Sequence, residues 1–238
     1  MKFSCLEQLN DLTEGLTSDV GQFGKYVFVS CWTETSEENI PLWNMYTPNM
    51  SGVRIRLPMH PFKRYGLVEI KGTRTAGRFQ NSIVPKEEII GKDYLVFPTS
   101  FQSHKIIYTD DERLLPKISD VTGDGKISIN LKLLGKYKST AWSFEAEWRY
   151  LLWIFPSAPF NFADRNYDDQ MVNELRQVLI KKVLQFTSYF LTIRDEAFEQ
   201  MEVVLGPKHT EGDVIMIQAL LGTYNPKAIF KLSTLKIK

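Results

Sequence analysis

Two glutamates set two apart, Glu145 and Glu147, are the residues of this chain whose spacing best suits chemistry. The run Glu147-Trp148-Arg149-Tyr150-Leu151-Leu152-Trp153-Ile154 is aromatic and apolar, and it predicts a buried strand after a charged entry. Residues i and i+2 of a strand point to one face, so the two carboxylates would stand side by side. Repulsion between them would raise the pKa of one. Such a pair suits general acid–base work or stabilisation of a developing cation. A structural reading competes: Glu147 and Arg149 pair with each other or with neighbours, while Trp148 anchors the core.

Other residues have types suited to holding a ligand. Trp43 and Tyr46 lie at i and i+3 of a short helix predicted over Pro41–Tyr46, with Pro in its first turn. Sharing one helix face, their rings would stack on a nucleobase or nicotinamide, or pack on a sheet. Arg54 and Arg56 sit on the alternating stretch Gly52–Leu57, which reads as a strand with one wet face. Either guanidinium would hold a pyrophosphate through bidentate contacts. Asn10, Asp11 and Glu14 approach a ligand or simply build a turn. Glu69-Ile70-Lys71 matches half of a metal-dependent nuclease site, with Asp11 or Asp19 left to supply the missing ligand. His60, His104 and His209 are isolated, without metal-ligand spacing, and no metal is expected. Phosphate-loop, dinucleotide-fold and serine-elbow patterns are absent.

The elements that must position these residues are mostly strands. Extended segments are expected at Lys25–Trp32, Gly52–Leu57, Leu67–Lys71, Tyr94–Phe97, Lys105–Tyr108, Glu147–Ile154, Tyr189–Ile193, Val203–Leu205 and Ala228–Ile237. Helices are expected at Pro41–Tyr46, Leu131–Tyr137, Gln170–Phe186 and Glu211–Leu221, the last capped by Thr210 and stopped by Gly222. Gly123-Asp124-Gly125 marks a tight turn. Strands outnumber helices without βαβ alternation. The expectation is therefore an α+β single domain over 1–238, a mixed, twisted sheet with packed helices.

Net charge is only +1, which excludes a strongly basic nucleic-acid footprint over the whole chain. Aromatic residues reach 13%, enough to fill a core or line a cleft. Cys5 and Cys31 suggest no disulfide framework and read as buried free thiols. With no secretion signal and no bilayer-length apolar run, a cytoplasmic chain without a membrane partner is expected by elimination.

Four blocks in order carry a family resemblance: Asn10-Asp11-Leu12-Thr13-Glu14-Gly15; Val29-Ser30-Cys31-Trp32-Thr33-Glu34; Leu42-Trp43-Asn44-Met45-Tyr46 leading to Gly52-Val53-Arg54-Ile55; and Trp142-Ser143-Phe144-Glu145-Ala146-Glu147-Trp148-Arg149. With Val203-Val204-Leu205-Gly206-Pro207 they resemble the domain of unknown function 2971 family of bacterial and phage proteins. The chain departs from that family in lacking its usual N-terminal strand and helix, and in having Leu12 where a Pro is usual. The Glu145-Ala146-Glu147 element also resembles the Glu-x-Glu of ADP-ribosyltransferases. That resemblance implies NAD as substrate and transfer of ADP-ribose to a protein or nucleic-acid target. Glu147 would be the ribose carboxylate and Glu145 the acceptor-side group, with Ser139 or Thr140 as the upstream hydroxyl. Arg54, Trp43, Tyr46 and Arg149 would hold the cofactor. The alternative is a non-catalytic binding or interaction module in phage–host conflict, and a third is the metal-dependent nuclease.

Overall fold

The computed structural model describes residues 1–66, 81–89, 93–98, 103–121, 123, 127–156 and 183–237. The strands that matter here are, in chain order, β1 (Lys2–Cys5), β2 (Val27–Thr33), β3 (Val53–Arg56), β4 (Tyr94–Pro98), β5 (His104–Lys105), β6 (Ile107–Tyr108), β7 (Tyr137–Lys138), β8 (Glu147–Pro156), β9 (Ser188–Phe190), β10 (Glu202–Leu205) and β11 (Ile229–Leu232). The α-helices among the described residues are α1 (Ile40–Tyr46), α2 (Lys86–Ile89), α3 (Asp195–Glu199) and α4 (Glu211–Tyr224). The expected Leu67–Lys71 strand, with Glu69 and Lys71, lies outside the described residues, as do most of the Gln170–Phe186 helix and the Asp124-Gly125 turn. The chain divides into two compact units, Met1–Thr33 with Arg64–Leu191, and Glu34–Lys63 with Thr192–Lys238.

The first unit is built on a six-stranded sheet in the order β9-β1-β2-β8-β4, with β5 also paired to β8. Every ladder in it is antiparallel. The centre is β8, whose ten residues EWRYLLWIFP supply aromatic and branched side chains to both faces. Its register with β2 runs from Glu147 opposite Thr33 to Trp153 opposite Val27. Alternation puts Glu147, Arg149, Leu151 and Phe155 on one face. There Leu151 and Phe155 join Leu6, Phe23, Tyr26, Val27, Val29, Ile118 and Leu134 in one core. Leu152 and Ile154 point the other way and are also fully buried, with Phe3, Phe28 and Val96. Burial on both faces explains why β8 reads as continuously apolar rather than alternating. Trp148 is only half-buried, across from Trp32.

Leu152 has no exposed surface in the middle of this sheet. Leu152→Ala is expected to lose about 2–5 kcal/mol of unfolding free energy, the transfer loss plus the cavity. Urea denaturation checks this, and a loss well under 1 kcal/mol would show the site collapsing.

Expected helix Leu131–Tyr137 is corrected to a single 3-10 turn, Leu131–Leu133. Gly135, at φ +67°, then turns the chain into β7. At the start of the chain, Asp11 Oδ1 accepts from the Thr13 amide at 2.9 Å and the Thr13 hydroxyl at 2.7 Å, which makes the expected turn. Gly15, at φ +80°, packs its backbone on Gly24. Its carbonyl accepts from the Phe23 and Gly24 amides at 2.9 and 3.0 Å. This contact fixes the position of Glu14.

The second unit has a three-stranded sheet, β11-β10-β3, parallel between β10 and β11 and antiparallel between β10 and β3. Helix α4 is the crossover that parallel neighbours require. Thr210 and Asp213 form its capping box, with Asp213 Oδ2 accepting from the Thr210 amide at 2.8 Å. Gly222 does not stop it: the helix continues to Tyr224, and the Asn225 amide donates to Leu221 O at 2.8 Å. The last strand spans only Ile229–Leu232.

Candidate functional site: a buried charge network

Strand β8, strand β7 and the Asn10–Gly15 turn bring five charged side chains together inside the first unit: Glu14, Lys138, Glu145, Glu147 and Arg149. Arg149 is 0% exposed and Glu147 is 4% exposed. The guanidinium grips Glu147 as a fork, Nε to Oε1 at 2.6 Å and Nη2 to Oε2 at 2.9 Å. Its Nη1 donates to Glu14 Oε2 and to Gly135 O, the latter at 3.3 Å. Lys138 Nζ donates to Glu145 Oε2 at 2.5 Å and to Glu147 Oε2 at 3.3 Å, and lies 3.5 Å from Glu14 Oε1. The Trp142 ring stands 4.6 Å from the same ammonium, a cation–π contact. The Glu147 amide donates to Tyr108 Oη at 2.8 Å.

The two glutamates do converge, but not along a strand. Glu145 ends a 3-10 turn, Thr140–Glu145, and only Glu147 belongs to β8. Ala146 between them is left-handed, at φ 45°. The shared partner Lys138, rather than strand alternation, joins the carboxylates.

The electrostatics of Glu147 run opposite to the expected mutual repulsion. Burial pushes its carboxyl up, but Arg149 and then Lys138 outweigh this and hold it below the usual carboxylate range. Burial likewise pulls Lys138 down, and Glu147, Glu145 and Glu14 together raise it above the usual lysine value. Arg149 is held protonated, its burial outweighed chiefly by Glu14. Glu147 thus contributes stability that is present above its unfolded value near 4.5 and is lost as pH falls through its lower folded value. Lys138 contributes stability present below 10.5 and lost as pH rises through its higher folded value.

Cys31 faces Arg149 across the ladder. It is densely surrounded yet solvent-accessible, which corrects the expected buried thiol; Cys5 is buried as expected. Ser139 and Thr140, the expected upstream hydroxyls, both serve Asp110: Ser139 Oγ lies 2.9 Å from Asp110 Oδ1, and the Thr140 hydroxyl donates to Oδ2. A recess beside Glu14, lined also by Thr13, Gly15, Arg113, Gly135 and Tyr137, holds about 10 Å³ of free space. That is room for a single water.

Trp43, Tyr46, Arg54 and Arg56 belong to the second unit. Trp43 and Tyr46 lie at i and i+3 of α1 and differ in burial. Trp43 is 4% exposed, its indole Nε1 donating to Glu38 Oε2 at 3.2 Å, whereas Tyr46 is 55% exposed. Arg54 Nη1 donates to the carbonyls of Ser36 and Glu37 at 3.2 and 3.3 Å. Asp19, named for the nuclease reading, is committed to the Ser119 amide and hydroxyl at 2.7 and 2.6 Å. His209 Nδ1 lies 2.8 Å from Gly206 O, and His60 O accepts from Arg194 Nε at 3.2 Å. Among the described residues no group of three or more His, Cys, Asp or Glu is arranged to hold a metal ion. None of their helices is long and apolar enough to cross a membrane.

Sequence reasoning passed over Lys138, the hub of the carboxylate cluster, and Tyr108. Lys138 is the one charge between Tyr137 and Glu145, so its presence is readable in the sequence. Its burial is not readable, because Glu14, Glu145 and Glu147 gather around it only in the fold. Comparison with protein-family models, with curated proteins and with solved structures finds no match for this chain.

Proposed function

We propose that this chain is a non-catalytic binding or interaction module, and that its Lys138–Arg149 stretch is a folding keystone rather than a reaction centre. One observation carries the reading: both oxygens of Glu147 are taken by the Arg149 fork inside the protein. A carboxylate that steadies a ribose oxocarbenium must offer a lone pair to an open cleft. Glu147 is enclosed in the protein with the Arg149 fork on both oxygens, and Glu145 is spent on Lys138. Five charges hidden from water tie β8 to the Asn10–Gly15 turn, and such networks serve to specify one arrangement of elements. Three of the four blocks that carry the resemblance to the domain of unknown function 2971 family place Glu14, Cys31, Glu147 and Arg149 at or beside this network.

Transfer of ADP-ribose from NAD makes the opposite demand on the same residue, so one variant separates the two. Glu147→Gln is expected to lower stability by about 3 kcal/mol, the low end for breaking a buried pair. Isothermal titration of wild type with millimolar NAD is expected to give no saturable heat. Saturable NAD binding, with ADP-ribosylation lost in a Glu147→Gln variant of unchanged melting temperature, would overturn the module reading.

A further inference from the structure

We draw no further inference here: the strongest candidate, the exposed apolar face of helix α4 formed by Ile215, Met216, Leu220 and Tyr224, carries none because nothing in the structure shows what covers it.

Discussion

Arg149→Met is expected to lose about 3–5 kcal/mol of unfolding free energy at pH 7, the cost of stripping one partner from a buried ion pair. That is a large share of the roughly 5–15 kcal/mol that holds an ordinary domain together. Methionine fills similar space, so the loss is electrostatic rather than a cavity. The variant leaves Glu14 and Glu147 facing each other without the guanidinium that both contact. The pH dependence should invert. In the wild type Glu147 sits below its ordinary value, so stability falls as pH drops through the acid range. Without Arg149, burial becomes the dominant influence on Glu147 and raises its folded value above the unfolded one. The variant then gains stability as pH falls from 7 towards 5, where the wild type is flat. Urea denaturation at both pH values reads the crossing, and parallel curves would sink the idea. Replacing the set together, Glu14→Leu with Glu147→Leu and Arg149→Met, is expected to recover most of the loss, because no charge is then left unpaired around the missing guanidinium.

Gly15→Ala is the second large effect. A Cβ at Gly15 would fall 2.4 Å from Gly24 Cα, a backbone atom that cannot swing aside, and the backbone there is left-handed at φ +80°. Strain and overpacking together are expected to cost about 3–5 kcal/mol. The neighbouring residue is Glu14, so the same change shifts the carboxylate that meets Arg149. Gly21 separates the two causes. Its φ is +76°, but a Cβ there meets nothing within 4 Å. Gly21→Ala should therefore pay the backbone cost alone, about 1–2 kcal/mol. Thermal denaturation of both variants gives the difference, and equal losses would mean that the Gly15–Gly24 approach has no energetic weight.

Much of this architecture is written locally. The Val27–Thr33 and Glu147–Pro156 strands follow from dense aromatic and branched residues, and α4 follows from Thr210 with Asp213. Other elements are settled by distant contacts. Lys2–Cys5 is too short to recognise alone and becomes a strand because β2 and β9 flank it. Leu131–Tyr137 has helical spacing, yet Gly135 turns left-handed so that its carbonyl can meet Arg149. The charge network is legible only in part. Glu145, Glu147 and Arg149 stand out in the sequence, but Glu14 lies 135 positions from Arg149. Nothing local to Lys138 says that it will be enclosed by carboxylates. Strand alternation sets Glu147 beside Arg149 within β8, but it is Lys138 that joins Glu145 to Glu147.

The second unit is assembled from two separate pieces of chain. Strand β3 finds its antiparallel partner only in β10, where Arg54 meets Val204. A ribosome adding about 5–20 residues per second needs on the order of ten seconds to travel that distance. Through that interval β3 has been made but its backbone edge is not paired. The nascent chain therefore has a defined window of vulnerability, opened when Arg56 emerges and closed when Leu205 does. Slowing translation between those points would lengthen it, and a holdase would matter most there.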